Sequence, residues 1–86
     1  MDRVEYLVCR RDGRWTLVHD GRETGHYDSR DVAVSVGIDA ANGAGLQGAE
    51  AMVREEVAGG AARTVWTYGR DPYEGPLKER SSPEFR

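Results

Sequence analysis

Apolar residues cluster in two strand-like runs near the start of the chain, residues 4–10 (VEYLVCR) and residues 14–19 (RWTLVH). Arg11, Asp12 and Gly13 separate them, and an Asp-Gly pair between two such runs is the preferred two-residue hairpin turn, since both positions need the left-handed backbone that Asp and Gly tolerate. The turn fixes a register: Arg11 opposite Arg14, Arg10 opposite Trp15, Cys9 opposite Thr16, Val8 opposite Leu17, Leu7 opposite Val18 and Tyr6 opposite His19. Alternate pairs share a face. Tyr6, Val8, Trp15 and Leu17 therefore form one strongly apolar face, which predicts the core side. Leu7, Cys9, Thr16 and Val18 form a milder face, with Glu5 and Asp20 at one end and Arg11 and Arg14 at the other.

Residues 20–25 are polar and turn-like, with a short third strand suggested near residues 24–27. A helix start follows. Asp28 is the expected cap, Asp31 sits where a carboxylate favours the positive end of a helix, and Tyr27 with Val32 have the spacing of a hydrophobic staple. Val32, Ala33, Val36, Ala40 and Gly43 recur at helical spacing. Val32, Val34, Val36 and Ile38 also alternate as a strand would, and Gly37 weakens a helix by about 1 kcal/mol relative to Ala. The capping residues and the Ala content favour the helix. The run NGAGLQG, residues 42–48, then reads as a glycine-rich exit loop. It is no phosphate loop, because it follows a helix and has no Gly-Lys-Ser/Thr element.

Residues 49–57 fit two patterns, a helical stripe of Leu46, Ala49, Val53 and Val57 or a strand face of Ala51, Val53, Glu55 and Val57. Gly59-Gly60 and the aromatic, β-branched residues 63–68 favour a second hairpin. A tight Gly-Gly turn sets Val57 opposite Ala62, Glu56 opposite Arg63 as an ion pair, Val53 opposite Trp66 and Ala51 opposite Tyr68. The predicted core is Tyr6, Val8, Trp15, Leu17, Val32, Val36, Val53, Trp66 and Tyr68. Gly69, Asp71 and Pro72 end the run, and residues 71–86, rich in Pro, Ser and charge, read as a flexible, disordered tail with one aromatic, Phe85. The expected fold is α+β: two β-hairpins forming a small antiparallel sheet on one α-helix, in the order β-β-α-β-β, with a single domain over residues 1–70.

Composition narrows the function classes. Eighty-six residues, 38% of them hydrophobic, build one small domain with little room for a deep catalytic cleft. A formal charge of −3 is the wrong sign for non-specific binding of a phosphate backbone. Arg replaces Lys almost throughout, a bias that a GC-rich genome also produces. Cys9 is the single cysteine, which excludes an internal disulfide, and no apolar stretch near Met1 is long enough for a signal peptide or a membrane span. A cytoplasmic, reduced protein is expected.

Gly13-Arg14-Trp15, then a polar turn, Asp28-Ser29 opening an Ala-containing helix, Gly48-Ala49-Glu50 leading into a strand, and Trp66-Thr67-Tyr68-Gly69-Arg70-Asp71-Pro72 follow one another in an order that resembles the small bacterial domain-of-unknown-function family number 2188. The resemblance spans roughly residues 4–73. It implies a compact α+β domain of two hairpins around one helix, and it brings no catalytic residues. The chain departs from the family pattern in a longer linker at residues 43–48 and in Ala-Gly-Gly-Ala at residues 58–61, where a polar turn is usual.

Candidate chemistry is sparse. Cys9, His19 and His26 have no compact ligand spacing, and the register sends Cys9 and His19 to opposite faces. Asp20, Asp28 and Asp31 are better explained as turn and cap residues than as catalytic carboxylates. Tyr6, Trp15, Tyr27, Trp66 and Tyr68 could stack on nucleic-acid bases, but a domain this small needs them for its core. Arg10, Arg11 and Arg14 form a basic cluster at the first hairpin tip. The expectation is a non-enzymatic interaction or accessory domain with no metal or cofactor, self-associating through the Leu7, Cys9, Val18 face or through a strand edge. The alternative is a small nucleic-acid-binding module that uses the arginine tip.

Overall fold

The computed structural model describes residues 2–57 and 59–75. Asp12 and Gly13 both take positive φ, 54° and 78°, and the hairpin they close joins β1 (Arg3–Arg11) to β2 (Arg14–His19) in the register that the Asp-Gly turn predicts. Asp20 and Gly21 repeat this geometry, with φ of 52° and 76°. They turn the chain into a full third strand, β3 (Arg22–Tyr27), where the sequence suggests only a short one. One extra residue, Thr24, bulges out of β3, and its hydroxyl donates to the Leu17 carbonyl at 3.2 Å.

The helix α1 (Arg30–Leu46) begins one residue later than expected. Ser29, not Asp28, is the N-cap, its hydroxyl accepting from the Val32 N–H at 3.2 Å. The expected exit loop at residues 42–48 is largely helix, since α1 runs through Asn42, Gly43 and Gly45 to Leu46. The buried stripe of α1 is Ala33, Gly37, Ala41 and Gly45, four small residues at strict i, i+4 spacing. Val32 is 38% exposed and is not a core residue, while Val36 is half-buried against the core. The glycines that read as loop are packing residues. A β-carbon on Gly37 would come within 3.2 Å of Leu17 and 3.3 Å of Val53, and one on Gly45 would overlap the Tyr68 ring.

After α1 come β4 (Glu50–Glu56) and β5 (Ala62–Thr67), the second hairpin. Val53 lies opposite Trp66 as predicted, but Val65 bulges out of β5 and shifts the remaining pairs by one. Arg63 therefore faces Glu55 rather than Glu56, and the Val57 N–H donates to Ala61 rather than pairing at Ala62. The strand order is β3-β2-β1-β4-β5. The sheet is mixed, not wholly antiparallel, because β4 runs parallel to β1, with Val8 beside Glu55. α1 causes this: it carries the chain from the end of β3 back over the sheet, so the next strand repeats the direction of β3 and β1.

The core lies between α1 and one face of the sheet, with Val8, Leu17, Ala33, Ala41, Ala51, Val53 and Trp66 buried and Tyr6, Trp15, Val36 and Tyr68 packed around them. Residues 71–73, expected in the tail, are tied to this core. The Trp66 indole donates to the Pro72 carbonyl at 3.0 Å, Asp71 accepts from the Thr67 N–H at 2.8 Å, and the Tyr73 hydroxyl donates to Asp39 on α1 at 2.9 Å. The expectation for residues 76–86, Phe85 included, lies outside the described residues.

Two neighbouring glycines of α1 separate packing from propensity. Gly43 has open space around its α-carbon, so Gly43→Ala should stabilise the fold by about 0.5–1 kcal/mol. Gly45→Ala should destabilise it by about 1–2 kcal/mol despite the same gain in propensity, through its collision with Tyr68. Urea unfolding of the two variants checks the opposite signs.

Candidate functional site

Alternation along the strands sends a second set of side chains to the face that α1 does not cover. Leu7, Cys9, Thr16 and Val18 occupy its centre, flanked by Met52 and Arg54 from β4. Cys9 and Thr16 are fully buried and Val18 is 7% exposed, although among the described residues no second layer lies over them. Longer neighbours shield them. His26 Nδ1 lies 3.1 Å from the Thr16 hydroxyl, and Arg11 reaches Glu23 at 3.2 Å. Cys9 is wholly enclosed.

Leu7 and Val18 floor a shallow hollow whose walls are Arg3, Glu5, Arg11 and Asp20. Arg3 pairs with Glu5 at 3.2 Å. Arg54 lies toward β5, donating to the Ala62 carbonyl at 3.0 Å, while its Nε is buried with no hydrogen-bond partner among the described residues. The surface has a small apolar centre and a rim in which cations and carboxylates alternate. Such a surface can seat a protein of matched charge; an open hollow does not exclude water from a reacting group.

The arginine cluster of the first hairpin is divided by the strand pleat. Arg10 turns to the helix side, where its guanidinium sits 5.3 Å from the Trp15 ring and donates to the Gly13 carbonyl at 3.1 Å. Arg11 and Arg14 turn to the uncovered face with Leu7 and Val18. Cys9, His19 and His26 do not converge either. His19 stacks on Tyr6 on the helix side, at 4.5 Å between ring centres, with Nδ1 3.2 Å from the Glu5 carbonyl. Among the described residues no group of three or more His, Cys, Asp or Glu could hold a metal ion, and no helix is long and apolar enough to cross a membrane.

The strongest polar contact lies elsewhere. Glu55, 6% exposed, accepts two hydrogen bonds from Arg30 at 2.7 and 2.8 Å and one from Arg63 at 3.2 Å. It ties the first turn of α1 to the end of β4. The Arg30 hydrogen bonds, helped by those of Arg63, hold its carboxyl below the usual carboxylate range against the opposing effect of burial. Alternation in the sequence assigns Glu55 to the core face, where an acid needs a buried cationic partner. That signal was present, but the bulge at Val65 and the distance of Arg30 along the chain concealed the partners.

Compared with protein-family models, curated proteins and solved structures, the chain matches none.

A carboxylate with a depressed folded-state pKa stabilises the fold above the ordinary range of an unfolded glutamate, about pH 4.3, and this contribution disappears as the pH falls through the folded value. Stability should therefore drop on acidification below about pH 4, and Glu55→Gln should cost about 1–3 kcal/mol at neutral pH while flattening that acid limb. Chemical unfolding between about pH 2.5 and 7 reads both effects.

Proposed function

We propose that this chain is a non-catalytic interaction module whose working surface is the face of the sheet opposite α1. The observation that carries this reading is that, among the described residues, the five-stranded sheet is covered on one face only. α1 packs on one face, and the other presents Leu7, Cys9, Thr16 and Val18 inside a charged rim. The strand edges are poorer candidates, because each outer strand is interrupted by a bulge, at Thr24 in β3 and at Val65 in β5. Bulges twist an edge away from straight pairing with another strand. The β5 edge is further closed at Thr67 by the Asp71 carboxylate.

Nucleic-acid binding by the first hairpin tip is the weaker reading. Its three arginines split between two faces, Arg10 is stacked on Trp15, and Arg11 is held by Glu23. The motif order that resembles family 2188 supports membership in that bacterial family, and the enclosed Cys9 thiol suits a reducing cytoplasm.

The test places isotope labels on the Leu and Val methyl groups. On raising the protein concentration in dilute buffer, or on transfer from dilute buffer into lysate of the source cell, the Leu7 and Val18 methyl resonances should broaden more than those of Val32 and Leu46 on the helix side. Broadening confined to Val32 and Leu46 would contradict the assignment of the working face.

A further inference from the structure

The level at which Val8, Leu17 and Glu55 lie side by side crosses the middle of the sheet. Turning each strand end for end about that level exchanges Glu5 with Arg11 on β1 and Asp20 with Arg14 at the ends of β2. On β4 the same operation exchanges Arg54 with Glu56, two residues that flank Glu55 directly. On β3, Glu23 beside Val18 exchanges with His26 beside Thr16. In these four exchanges on the uncovered face an acid meets a base, while Arg3, beyond Glu5, exchanges with the turn glycine Gly13. The central residues exchange uncharged for uncharged, Leu7 with Cys9 and Val18 with Thr16.

A two-fold axis lying in the interface and running across the strands performs this operation when one sheet is laid face to face on its own copy. Residue i then contacts residue j while j contacts i, the condition for an isologous dimer. From this charge antisymmetry we infer that the uncovered face takes a second copy of this chain, with Glu5 over Arg11 of the other copy and Asp20 over Arg14. The inference rests on the uncovered face being the working surface, and adds the identity of the occupant. A partner of uniform charge would meet like charges somewhere on this rim; a second copy in this orientation sets opposite charges together at these four pairs.

Size sets the affinity class. Strands about 4.8 Å apart and about 20 Å in paired length make a five-stranded face of roughly 500 Å², so two copies bury on the order of 1,000 Å². That is the low end for specific interfaces and implies a reversible dimer of roughly micromolar dissociation constant. Sheets facing each other at about 10 Å leave room for Leu7 and Val18 to interdigitate, with the rim charges solvated at their outer edges.

Analytical ultracentrifugation of the full chain, with charge-reversal variants, decides the matter. The unmodified protein should dimerise reversibly below about 0.5 mM. Arg11→Glu alone and Glu5→Arg alone each set like charges together twice per dimer, and each should weaken self-association at least about tenfold, less at high salt. An equimolar mixture of the two variants restores both contacts and should associate about as tightly as the unmodified protein. This rescue separates a charge contact from damage to the fold, because a misfolded chain gains nothing from mixing. A protein monomeric at about 0.5 mM, single variants that dimerise normally, or a mixture no tighter than its components would overturn the inference. If the purified chain is monomeric while Leu7 and Val18 still broaden in lysate, the working face stands and its occupant is another protein.

Discussion

The stripe of α1 buried most deeply against the sheet carries no side chain larger than a methyl group. Ala33, Gly37, Ala41 and Gly45 bring the helix backbone close to Leu17, Val53 and Tyr68 on the sheet side, and Val34, Val36 and Ile38 pack beside this stripe. In a chain this short the large residues are few, and the fold puts the described aromatic ones on the strands and on the segment that follows β5. The cost is weak intrinsic helicity, since each interior glycine disfavours a helix by about 0.5–1 kcal/mol relative to alanine. The helix is therefore held by tertiary contacts, and the other features of the fold follow from that need.

Both ends of α1 are pinned. At its start, Arg30 grips the buried Glu55 of β4; near its end, the Tyr68 ring lies on Gly45, and Tyr73 reaches back to Asp39. Trp66 joins these contacts, with Tyr68 and Tyr73 edge-on to it at 6.4 Å between ring centres and its indole N–H bound to Pro72. The run from Arg63 to Tyr73 thus closes the core from the side of the last strand. With one helix committed to one face, the sheet has a second face that the described chain leaves uncovered, and its side chains follow a different rule: small residues at the centre and opposed charges around them.

The sequence was legible where structure is local. The Asp12-Gly13 turn set the β1–β2 register in full, and with it the division of Trp15, Leu17 and Val8 from Leu7, Cys9 and Val18. The same dipeptide at Asp20-Gly21 went unread as a hairpin because the strand after it, RETGHY, has no alternating apolar residues; it is an edge strand with little to bury. Glycine was the main source of error. In NGAGLQG it signals a loop by propensity, yet Gly45 is helical because Tyr68, more than twenty residues away, occupies the space of its missing side chain. Val32 fits a helical stripe but lies outside the strict four-residue spacing that faces the sheet. The parallel pairing of β1 with β4 is a property of the crossover, and the bulge at Val65 moved the ion pair from Glu56 to Glu55. Neither is encoded by a neighbour in sequence. The charge opposition on the uncovered face has the same origin, since Glu5, Arg11, Asp20 and Arg14 are ordinary surface residues until the register sets their levels.

The proposed dimer joins two sheets, each covered by α1 on one side, through their other faces. Nuclear Overhauser contacts between isotope-labelled and unlabelled copies, mixed at a concentration where dimer is populated, test it most directly. Intermolecular contacts from the methyl groups of Leu7 and Val18 are the predicted result. Contacts arising instead from Val32 or Leu46 on the helix side, or from the outer edges of β3 and β5, would contradict it.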